Sequence, residues 1–307
     1  MQDKNIYYVD EINNLAENDK NLLVDMSEKM FQEEINEIVE EILKKNAKIV
    51  LLAGPSSSGK TTTSSILKDK IHDHGKTSVF VSLDDFFLNR EDTPLLPNGN
   101  YDFENVTALD IDYLHKFLSV LLTTTEADMP KYNFLTGRRE DKYVHLNIDD
   151  DTIVIIEGLH ALNPILTSGY DEYMYKIYIC ALSSFYNNDE CVLDNTEVRL
   201  LRRLLRDHLT RGRDIKTTLN SWQDVLDGEK KYIDPYKNLV DYNLDSVHMY
   251  EPLLYAKYLL PILEKNNLSE SKQLSEKLEL FVTMSEEDVP KDSLLREFIG
   301  KWKKSRN

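Results

Sequence analysis

The stretch Gly54-Pro55-Ser56-Ser57-Ser58-Gly59-Lys60-Thr61 decides the fold of this chain. It follows the apolar run Ile49 to Ala53 and precedes a polar, helix-compatible segment that starts at Thr62. Its pattern, G-x-x-x-x-G-K-[ST], needs glycines because backbone N–H groups must turn inward to cradle phosphate oxygens, and side chains would block that approach. The pattern therefore predicts a P-loop. The alternative is a glycine- and serine-rich turn between a strand and a helix.

Each part of the predicted P-loop has a chemical role. Lys60 would reach the β and γ phosphates, and the Thr61 hydroxyl would ligate Mg²⁺. The N-terminus of the following helix attracts anions through unpaired N–H groups and a partial positive charge. The predicted ATP-binding residues are Gly54, Pro55, Ser56, Ser57, Ser58, Gly59, Lys60, Thr61 and Thr62.

Composition limits the classes of partner. The chain has 307 residues, 41% of them hydrophobic, which is enough for one large α/β domain or one domain with an appendage. A formal net charge of −17 argues against a nucleic-acid partner or an anionic membrane surface. The N-terminus lacks a basic region before an apolar core, and no apolar run approaches the roughly 20 residues that span a bilayer. We therefore expect a cytoplasmic protein.

Cys180 and Cys191 have no metal-ligand spacing and are assigned no role.

From Ala47 onward, short apolar runs alternate with longer helical patterns. The runs that predict buried strands are Ile49 to Leu52, Val79 to Leu83, Ile153 to Ile156 and Lys176 to Cys180, with a short fifth candidate at Asp241 to Leu244. Strands that are nearly continuous in apolar residues favour a parallel sheet covered on both faces. We therefore predict an α/β fold of the P-loop NTPase type, with a parallel sheet flanked by helices. Thr93 to Asn100 is a long irregular loop, and such loops are often lids.

Before this sheet, residues 1 to 21 are polar without a clear period, whereas apolar residues recur at helical spacing from Leu22 to Ile42 among many glutamates. This pattern predicts an amphipathic helix, with room for one break. We expect the helix to pack against the domain that follows. A partner-binding or dimerising helix is the alternative.

In an open α/β sheet, ligands bind at the carboxyl ends of the strands. The second strand runs into Asp84-Asp85-Phe86-Phe87, and Asp84 is our candidate general base for phosphoryl transfer to a hydroxyl, placed near the metal. The third strand ends in Glu157-Gly158, and an acidic residue there holds Mg²⁺ in P-loop proteins. The alternatives are that Asp84 or Asp85 caps the next helix and that Glu157 is solvated. His160 is interpreted as structural.

The segment Arg199 to Arg213 holds more than half of the arginines of this acidic chain. On a helix, one face would carry Arg199, Arg202, Arg203 and Arg206, and the other Leu200, Leu201, Leu204 and Leu205. We expect the leucine face to pack and the arginine face to meet anions. Arg211 and Arg213 flank Gly212, a flexible joint that would let them close over phosphates as a lid. The alternative is a solvated basic face paired with surface carboxylates.

Together, these motifs resemble the phosphoribulokinase/uridine kinase family of P-loop kinases, particularly its bacterial nucleoside kinase branch. The stretches that carry the resemblance, besides the P-loop, are Ser82 to Phe87, Asn100 to Glu104, Tyr132 to Thr136, Ile155 to Gly158 and Arg199 to Asp214. Val289-Pro290 and Ser293 to Gly300 also look like the tail of that branch.

The resemblance implies transfer of the γ-phosphate of ATP to the 5′-hydroxyl of a ribonucleoside, with Asp84 as base. Lys60 would act on the phosphates, Thr61 and Glu157 would lie around Mg²⁺, and Arg206 and Arg211 would clamp the phosphate. The residues implied on the nucleoside side are Phe87, Asp102, Phe103, Glu104, Tyr132, Arg203 and Arg213.

Three departures from uridine-cytidine kinases leave the nucleoside open. The aspartate that binds the ribose hydroxyls is replaced by Glu104, with Asp102 two residues earlier, and either could serve. The histidine that reads the pyrimidine matches Gly137, and a glutamine beyond the lid matches Ser221. Losing polar contacts to a base can change discrimination by orders of magnitude.

The leading hypothesis is an ATP- and Mg²⁺-dependent nucleoside kinase of the salvage route, uridine kinase-like, with self-association left open. Its predicted parts are an N-terminal helical extension (1–45), a P-loop kinase domain with an arginine-rich helical lid (46–266) and a packed C-terminal helical extension (267–307). One alternative is a kinase of another small hydroxyl compound such as a sugar phosphate, for which Arg138 with Arg139 is the candidate second basic pocket. Another is a non-catalytic nucleotide-sensing or nucleic-acid-binding module, which the net charge opposes.

Overall fold

The computed structural model describes residues 5–96 and 99–300. Residues 97 and 98 of the predicted Thr93 to Asn100 loop, and the outer ends of both predicted extensions, lie outside these ranges. The first half contains β1 (Ile6–Tyr8), α1 (Val9–Asn18), α2 (Lys20–Lys45), β2 (Ile49–Ala53), α3 (Lys60–Asp73), β3 (Thr77–Ser82), α4 (Ile111–Thr123), β4 (Glu126–Met129), β5 (Tyr132–Asn133), β6 (Arg138–Arg139), β7 (Val144–Asn147) and β8 (Thr152–Glu157). The second half contains α5 (Pro164–Thr167), β9 (Met174–Cys180), β10 (Ser184–Asn187), β11 (Glu190–Leu193), α6 (Asn195–Arg211), α7 (Ile215–Asn220), α8 (Trp222–Tyr232), β12 (Tyr242–Asp245), α9 (Glu251–Tyr258), α10 (Leu260–Leu263), α11 (Ser269–Leu278) and α12 (Arg296–Ile299).

The central element is a five-stranded sheet in the order β12-β9-β2-β8-β3. All its pairings are parallel, so the α/β prediction and its five strands are confirmed. The strand after the P-loop helix, β3, is not a neighbour of β2, because β8 lies between them. The carboxyl end of β8, with Glu157, is therefore directly beside the P-loop, and Asp84 lies one strand further away.

Alternate residues of the middle strands face two different hydrophobic cores. Val50 and Leu52 belong to the core that contains α2, α3 and α6, whereas Ile49 and Leu51 face the core that contains α4. Successive side chains of a strand point to opposite faces, so a strand buried on both faces is apolar throughout. This double burial explains why the strands appear in the sequence as continuous apolar runs.

The predicted N-terminal helix is α2, which has 26 residues and no break. It shares the first core with the sheet, and its Glu37 accepts a hydrogen bond of 2.9 Å from the hydroxyl of Tyr242 on β12. A further helix, α1, lies in the segment where the sequence showed no period. Only Val9 and Ile12 of α1 are buried, so its apolar side is too short to mark a period in the sequence. The domain boundaries at residues 46 and 267 stay predictions.

The arginine-rich segment forms α6, whose leucine face is buried as predicted. The prediction that the arginine face meets anions is wrong for Arg199 and Arg202. Arg199 forms two hydrogen bonds with Glu229, of 2.8 and 2.6 Å, and Arg202 forms two with Glu251, of 2.8 and 2.9 Å. Helices α8 and α9 carry these glutamates and cover that part of the face, so both guanidinium groups bind protein carboxylates.

Arg202 is fully buried and connects α6 to three other parts of the chain. Besides Glu251, it donates to the hydroxyl and the carbonyl of Ser246, at 2.8 and 2.6 Å, just after β12. It also donates to the carbonyl of Ser57 in the P-loop at 3.4 Å, and its guanidinium lies 5.0 Å from the ring centroid of Phe298. The P-loop is therefore held from behind by a buried arginine.

We expect Arg202→Met to lower the free energy of unfolding by about 3–5 kcal/mol, because the buried carboxylate of Glu251 would lose its partner. Urea unfolding followed by circular dichroism measures this change. The double variant Arg202→Met/Glu251→Leu should be more stable than Arg202→Met, since no lone charge is left. The matched control is Arg138→Met, whose exposed pair with Glu91 should contribute less than about 1 kcal/mol. A loss below about 1 kcal/mol for Arg202→Met would refute this account.

Candidate active site

The P-loop connects β2 to α3 in a conformation that requires small residues. Gly59 has a φ of +93°, and a Cβ there would lie 2.7 Å from Cδ1 of Leu294. A Cβ on Gly54 would collide with the carbonyl oxygen of Ile179 on the adjacent strand β9. Both positions require glycine because neighbouring parts of the chain leave no room for a Cβ.

Several polar groups of the P-loop are suited to a phosphate. Within the described ranges, the hydroxyls of Ser57 and Ser58 are buried and have no hydrogen-bond partner. Lys60 donates to the carbonyls of Gly54 and Pro55 at 2.8 and 3.0 Å, so its ammonium group lies over its own loop. Buried polar groups normally have partners, and phosphate oxygens would supply them here.

A cleft of about 750 Å³ opens over the P-loop. It extends from the P-loop past the carboxyl ends of β8 and β3 to the hairpin of β5 and β6, with α6 along one side. The predicted site residues that line it are Ser56, Ser57, Ser58, Gly59, Lys60, Thr61, Asp84, Phe87, Phe103, Glu104, Tyr132, Glu157, Arg203, Arg206 and Arg211. The predicted site residues outside its lining are Gly54, Pro55, Thr62, Asp102 and Arg213.

Asp84 and Asp85 have different environments although they are adjacent. Asp85 forms an ion pair of 3.0 Å with Lys131 and accepts a hydrogen bond of 3.1 Å from the Tyr132 N–H. Asp84 lines the cleft and caps no helix in the described part of the chain. Burial raises the pKa of Asp84, the Lys60 ammonium opposes this rise, and Asp85 adds to it. A carboxylate in this state is a better proton acceptor than one in water.

Glu104, and not Asp102, is the acidic residue of its segment that lines the cleft. Asp102 is buried behind it and accepts a hydrogen bond of 2.7 Å from the Tyr232 hydroxyl. Burial raises the pKa of Glu104, and the charges of Asp84 and Asp102 raise it further. His160 hydrogen-bonds the Glu104 carbonyl through Nε2 at 2.9 Å, and burial lowers its pKa, so it holds this backbone as a neutral ring.

Three arginines of α6 converge on one buried carboxylate. Asp207 lies 3.8 Å from Arg203, 3.4 Å from Arg206 and 3.4 Å from Arg211. Burial lowers the pKa of Arg206, and repulsion from Arg211 lowers it further. One carboxylate cannot neutralise three guanidinium groups, so this side of the cleft has an excess of positive charge that a phosphate would balance.

Arg213 does not line the cleft, but its charge lies close enough to lower the pKa of Arg203. It is exposed, and its backbone N–H donates to the Asp207 carbonyl at 3.1 Å. The left-handed conformation of Gly212, with a φ of +61°, ends α6 just before it. Its role on the nucleoside side stays a prediction.

Sequence reasoning missed three charged residues of the cleft, Arg90, Glu229 and Glu297. Arg90 lies against Gly137, where a Cβ would approach its Nε to 2.5 Å, and it donates to the Phe134 carbonyl at 3.3 Å. Glu297 accepts hydrogen bonds from Thr62. All three reach the site from segments that are distant from the P-loop in sequence, and no local pattern marks them.

Three residues of the cleft offer oxygen ligands for Mg²⁺. Thr61, Asp84 and Glu157 all line the cleft, and oxygen is the donor that Mg²⁺ prefers. Among residues 5–96 and 99–300, no group of three or more His, Cys, Asp or Glu side chains is arranged to hold a metal. Mg²⁺ usually keeps waters and binds substrate phosphates as well, so these residues fit the ion.

Comparison with known proteins supports the resemblance seen in the sequence. The profile of the phosphoribulokinase/uridine kinase family matches residues 49–251, which is more than half of the chain. Uridine kinase-like protein 4 of Arabidopsis thaliana is 27% identical over 202 residues, and the match spans 63% of this chain and 39% of that protein. A uridine kinase of Limosilactobacillus reuteri is 25% identical over 194 residues, spanning 63% of this chain and 80% of that protein.

Among solved structures, a possible uridine kinase from Bacillus stearothermophilus has a TM-score of 0.49 and 16% identity, covering 70% of this chain and 98% of that chain. In the described part of the present structure, no helix is both long and apolar enough to cross a membrane.

We expect Arg206→Gln to weaken the binding of inorganic tripolyphosphate by about 10- to 100-fold, because a hydrogen bond to a charged group contributes about 1.5–3 kcal/mol. Isothermal titration calorimetry measures this affinity. The control, Lys216→Gln, removes an exposed positive charge outside the cleft and should change affinity by less than about threefold. Equal losses in both variants would mean that only net charge matters and that the cluster is not an anion site.

Proposed function

We propose that this chain, which belongs to the phosphoribulokinase/uridine kinase family, is an ATP-dependent kinase that phosphorylates the 5′-hydroxyl of a ribonucleoside. One observation carries the proposal. A single cleft has a P-loop and an excess of arginine at one end, and carboxylates with aromatic rings at the other. The first end suits a polyphosphate, and the second suits a neutral, planar molecule with hydroxyl groups.

The aromatic end supports a nucleoside as acceptor. The rings around Phe87 have centroid distances of 6.0 Å to Phe103, 5.6 Å to Tyr132 and 6.4 Å to Phe134. Aromatic walls of this kind bind a flat heterocycle by stacking and apolar contact. Glu104 would accept hydrogen bonds from the ribose hydroxyls, because its carboxylate lines the same part of the cleft.

In the proposed reaction, the 5′-oxygen of the acceptor attacks the γ-phosphorus and its proton passes to the Asp84 carboxylate. The bond between the γ-phosphorus and the bridging oxygen breaks, and ADP leaves with that oxygen. Charge spreads over the transferring group, and Lys60, Arg206 and Arg211 stabilise it. Mg²⁺, when bound, neutralises phosphate charge, and the residues that would hold it are Thr61, Asp84 and Glu157.

A kinase of sugar phosphates is less well supported, because a second anion would need its own cations. Arg138 pairs with Glu91 at 2.6 Å, and Arg139 binds Asp110 at 3.0 Å, so neither lines the cleft. Arg90 lines the cleft beside the aromatic ring of Phe134, and Lys60 and Arg203 act on the Glu104 carboxylate. The carboxylates of Asp84, Glu104 and Glu229 line the same cleft and oppose this positive charge. This balance favours an uncharged acceptor.

We expect Asp84→Asn to lower kcat by about 10²- to 10⁴-fold, because asparagine keeps the shape but cannot accept the proton. Nucleoside binding, measured by calorimetry, should be nearly unchanged. Since burial raises the pKa of Asp84, the wild-type rate should fall as pH drops through a value above the ordinary aspartate pKa of about 3.9. That acidic limb should be missing in Asp84→Asn.

The neighbouring variant Asp85→Asn is the matched control for Asp84→Asn. It weakens the ion pair with Lys131, so it should lower the unfolding temperature while keeping most of kcat per folded molecule. If Asp84→Asn turned over at a near-normal rate, or if both variants lost only stability, Asp84 would not be the base.

We also expect Arg90 to favour bases whose edge carries a carbonyl, because a guanidinium donates hydrogen bonds and accepts none. The kcat/KM ratios of inosine to adenosine and of uridine to cytidine should be about tenfold or more, and Arg90→Met should reduce both to near one. The control is Arg138→Met, which removes an exposed arginine that pairs with Glu91 next to Arg90, and it should leave the ratios unchanged. Ratios near one in the wild type would exclude this role for Arg90.

A further inference from the structure

The C-terminal segment Ser293 to Gly300, which we call the tail, lies across the P-loop. Leu294 packs against Gly59. A Cβ at position 59 would lie 2.7 Å from the Leu294 Cδ1, so only glycine leaves room for the leucine side chain. At the other end of the tail, Gly300 adjoins Thr210 on α6, where a Cβ would come within 2.8 Å of the Thr210 Cγ2. The tail therefore bridges the P-loop and the arginine-rich helix.

The one acidic side chain of the tail points into the phosphate site. Glu297 accepts a hydrogen bond of 2.6 Å from the Thr62 hydroxyl and one of 3.3 Å from the Thr62 N–H. Thr62 is fully buried in the first turn of α3, where unpaired N–H groups attract anions. Glu297 also lines the cleft, close enough to Arg206 for its charge to raise the pKa of that residue.

Two anions cannot bind the same donors. A nucleotide phosphate that reached the Thr62 N–H and hydroxyl would lie where the Glu297 carboxylate now lies, and like charges at contact distance repel strongly in a partly buried site. The carboxylate must therefore leave Thr62 before a phosphate can take these hydrogen bonds.

The tail must give up part of its packing for such a movement. Its start is anchored, since Ser293 hydrogen-bonds the Tyr250 hydroxyl at 3.1 Å and Arg296 donates to the Pro290 carbonyl at 2.9 Å. The segment that carries Glu297 is short, because α12 is one turn of four residues that ends at Gly300 with a φ of +80°. A single helical turn depends on its packing for stability. That packing is apolar, since Leu294, Leu295, Phe298 and Ile299 are buried and Phe298 lies against Arg202, so release of the turn must expose these side chains.

We propose that the tail is an autoinhibitory strap, in which the Glu297 carboxylate occupies a phosphate position on Thr62 and competes with ATP. The proposal rests on the proposed function, since it takes ATP as the ligand of the P-loop. The fraction of molecules with the tail released then sets the apparent affinity for the nucleotide.

The test measures the dissociation constant of Mg²⁺ with an ATP analogue whose γ-phosphate cannot be transferred, by isothermal titration calorimetry on the full chain. Glu297→Gln keeps the side-chain shape and an acceptor oxygen but removes the charge, which weakens the contact with Thr62. We expect it to bind the analogue about tenfold more tightly than the wild type, a change of about 1.4 kcal/mol. The control Glu279→Gln makes the same change of net charge at an exposed position outside the cleft and should bind like the wild type.

Hydrogen exchange gives a second readout that does not depend on the variant. The N–H groups of Arg296, Phe298 and Ile299 donate to backbone carbonyls within the tail at 3.1, 3.0 and 3.2 Å. In the wild type, saturating analogue should make these amides exchange faster, whereas a tail that merely forms a wall of the site would be protected by the ligand.

The remaining outcomes separate this proposal from the proposed function. If the wild type binds the analogue and Glu297→Gln binds it equally or more weakly, Glu297 does not compete with ATP, and only the strap is refuted. Unchanged or slower exchange in the tail would refute it as well. If the wild type, Glu279→Gln and Glu297→Gln all fail to bind the analogue, both the strap and the ATP-dependent function are refuted.

Discussion

The buried pair of Arg202 and Glu251 is the interaction on which the arrangement of the cleft depends. The carboxylate of Glu251 satisfies one edge of the guanidinium, and the remaining donors reach Ser246 after β12 and Ser57 in the P-loop. Phe298 of the tail lies against the same guanidinium group. A planar group with five donors can join several chain segments at one point, which a lysine could not do. The pair therefore sets where α6, the P-loop and the tail lie relative to one another.

From this anchor, α6 places its other arginines by helical geometry. Arg203 and Arg206 are three positions apart and therefore neighbours on the helix surface. Both line the cleft, while Arg202 stays buried. Asp207 lies within 4 Å of Arg203, Arg206 and Arg211. The chain has a net charge of −17, yet it has a local excess of positive charge here. A focused field of this kind attracts polyphosphates although the whole molecule is acidic.

The order of the strands separates the chemical roles within the cleft. Because β8 lies between β2 and β3, Glu157 is next to the P-loop and Asp84 lies further along, toward the aromatic rings. A carboxylate beside the phosphates suits a metal ion, whereas one between the phosphates and the aromatic end suits an acceptor hydroxyl. The tail closes the opposite side, where Glu297 meets the start of α3. The carboxyl ends of the strands thus form one side of the cleft, and the tail forms the other.

The sequence alone determined the features that depend on local patterns of residues. The P-loop needs consecutive residues, buried parallel strands need continuous apolar runs, and the leucine face of α6 needs helical spacing, so each could be predicted from neighbours in the chain. Only the tertiary structure decided which arginines face the cleft, because Glu229 and Glu251 come from other helices and capture Arg199 and Arg202. The same holds for Asp102 behind Glu104, for Arg90 over Gly137 and for Glu297 on Thr62. These contacts join residues far apart in sequence, and their geometry depends on packing that no local period encodes.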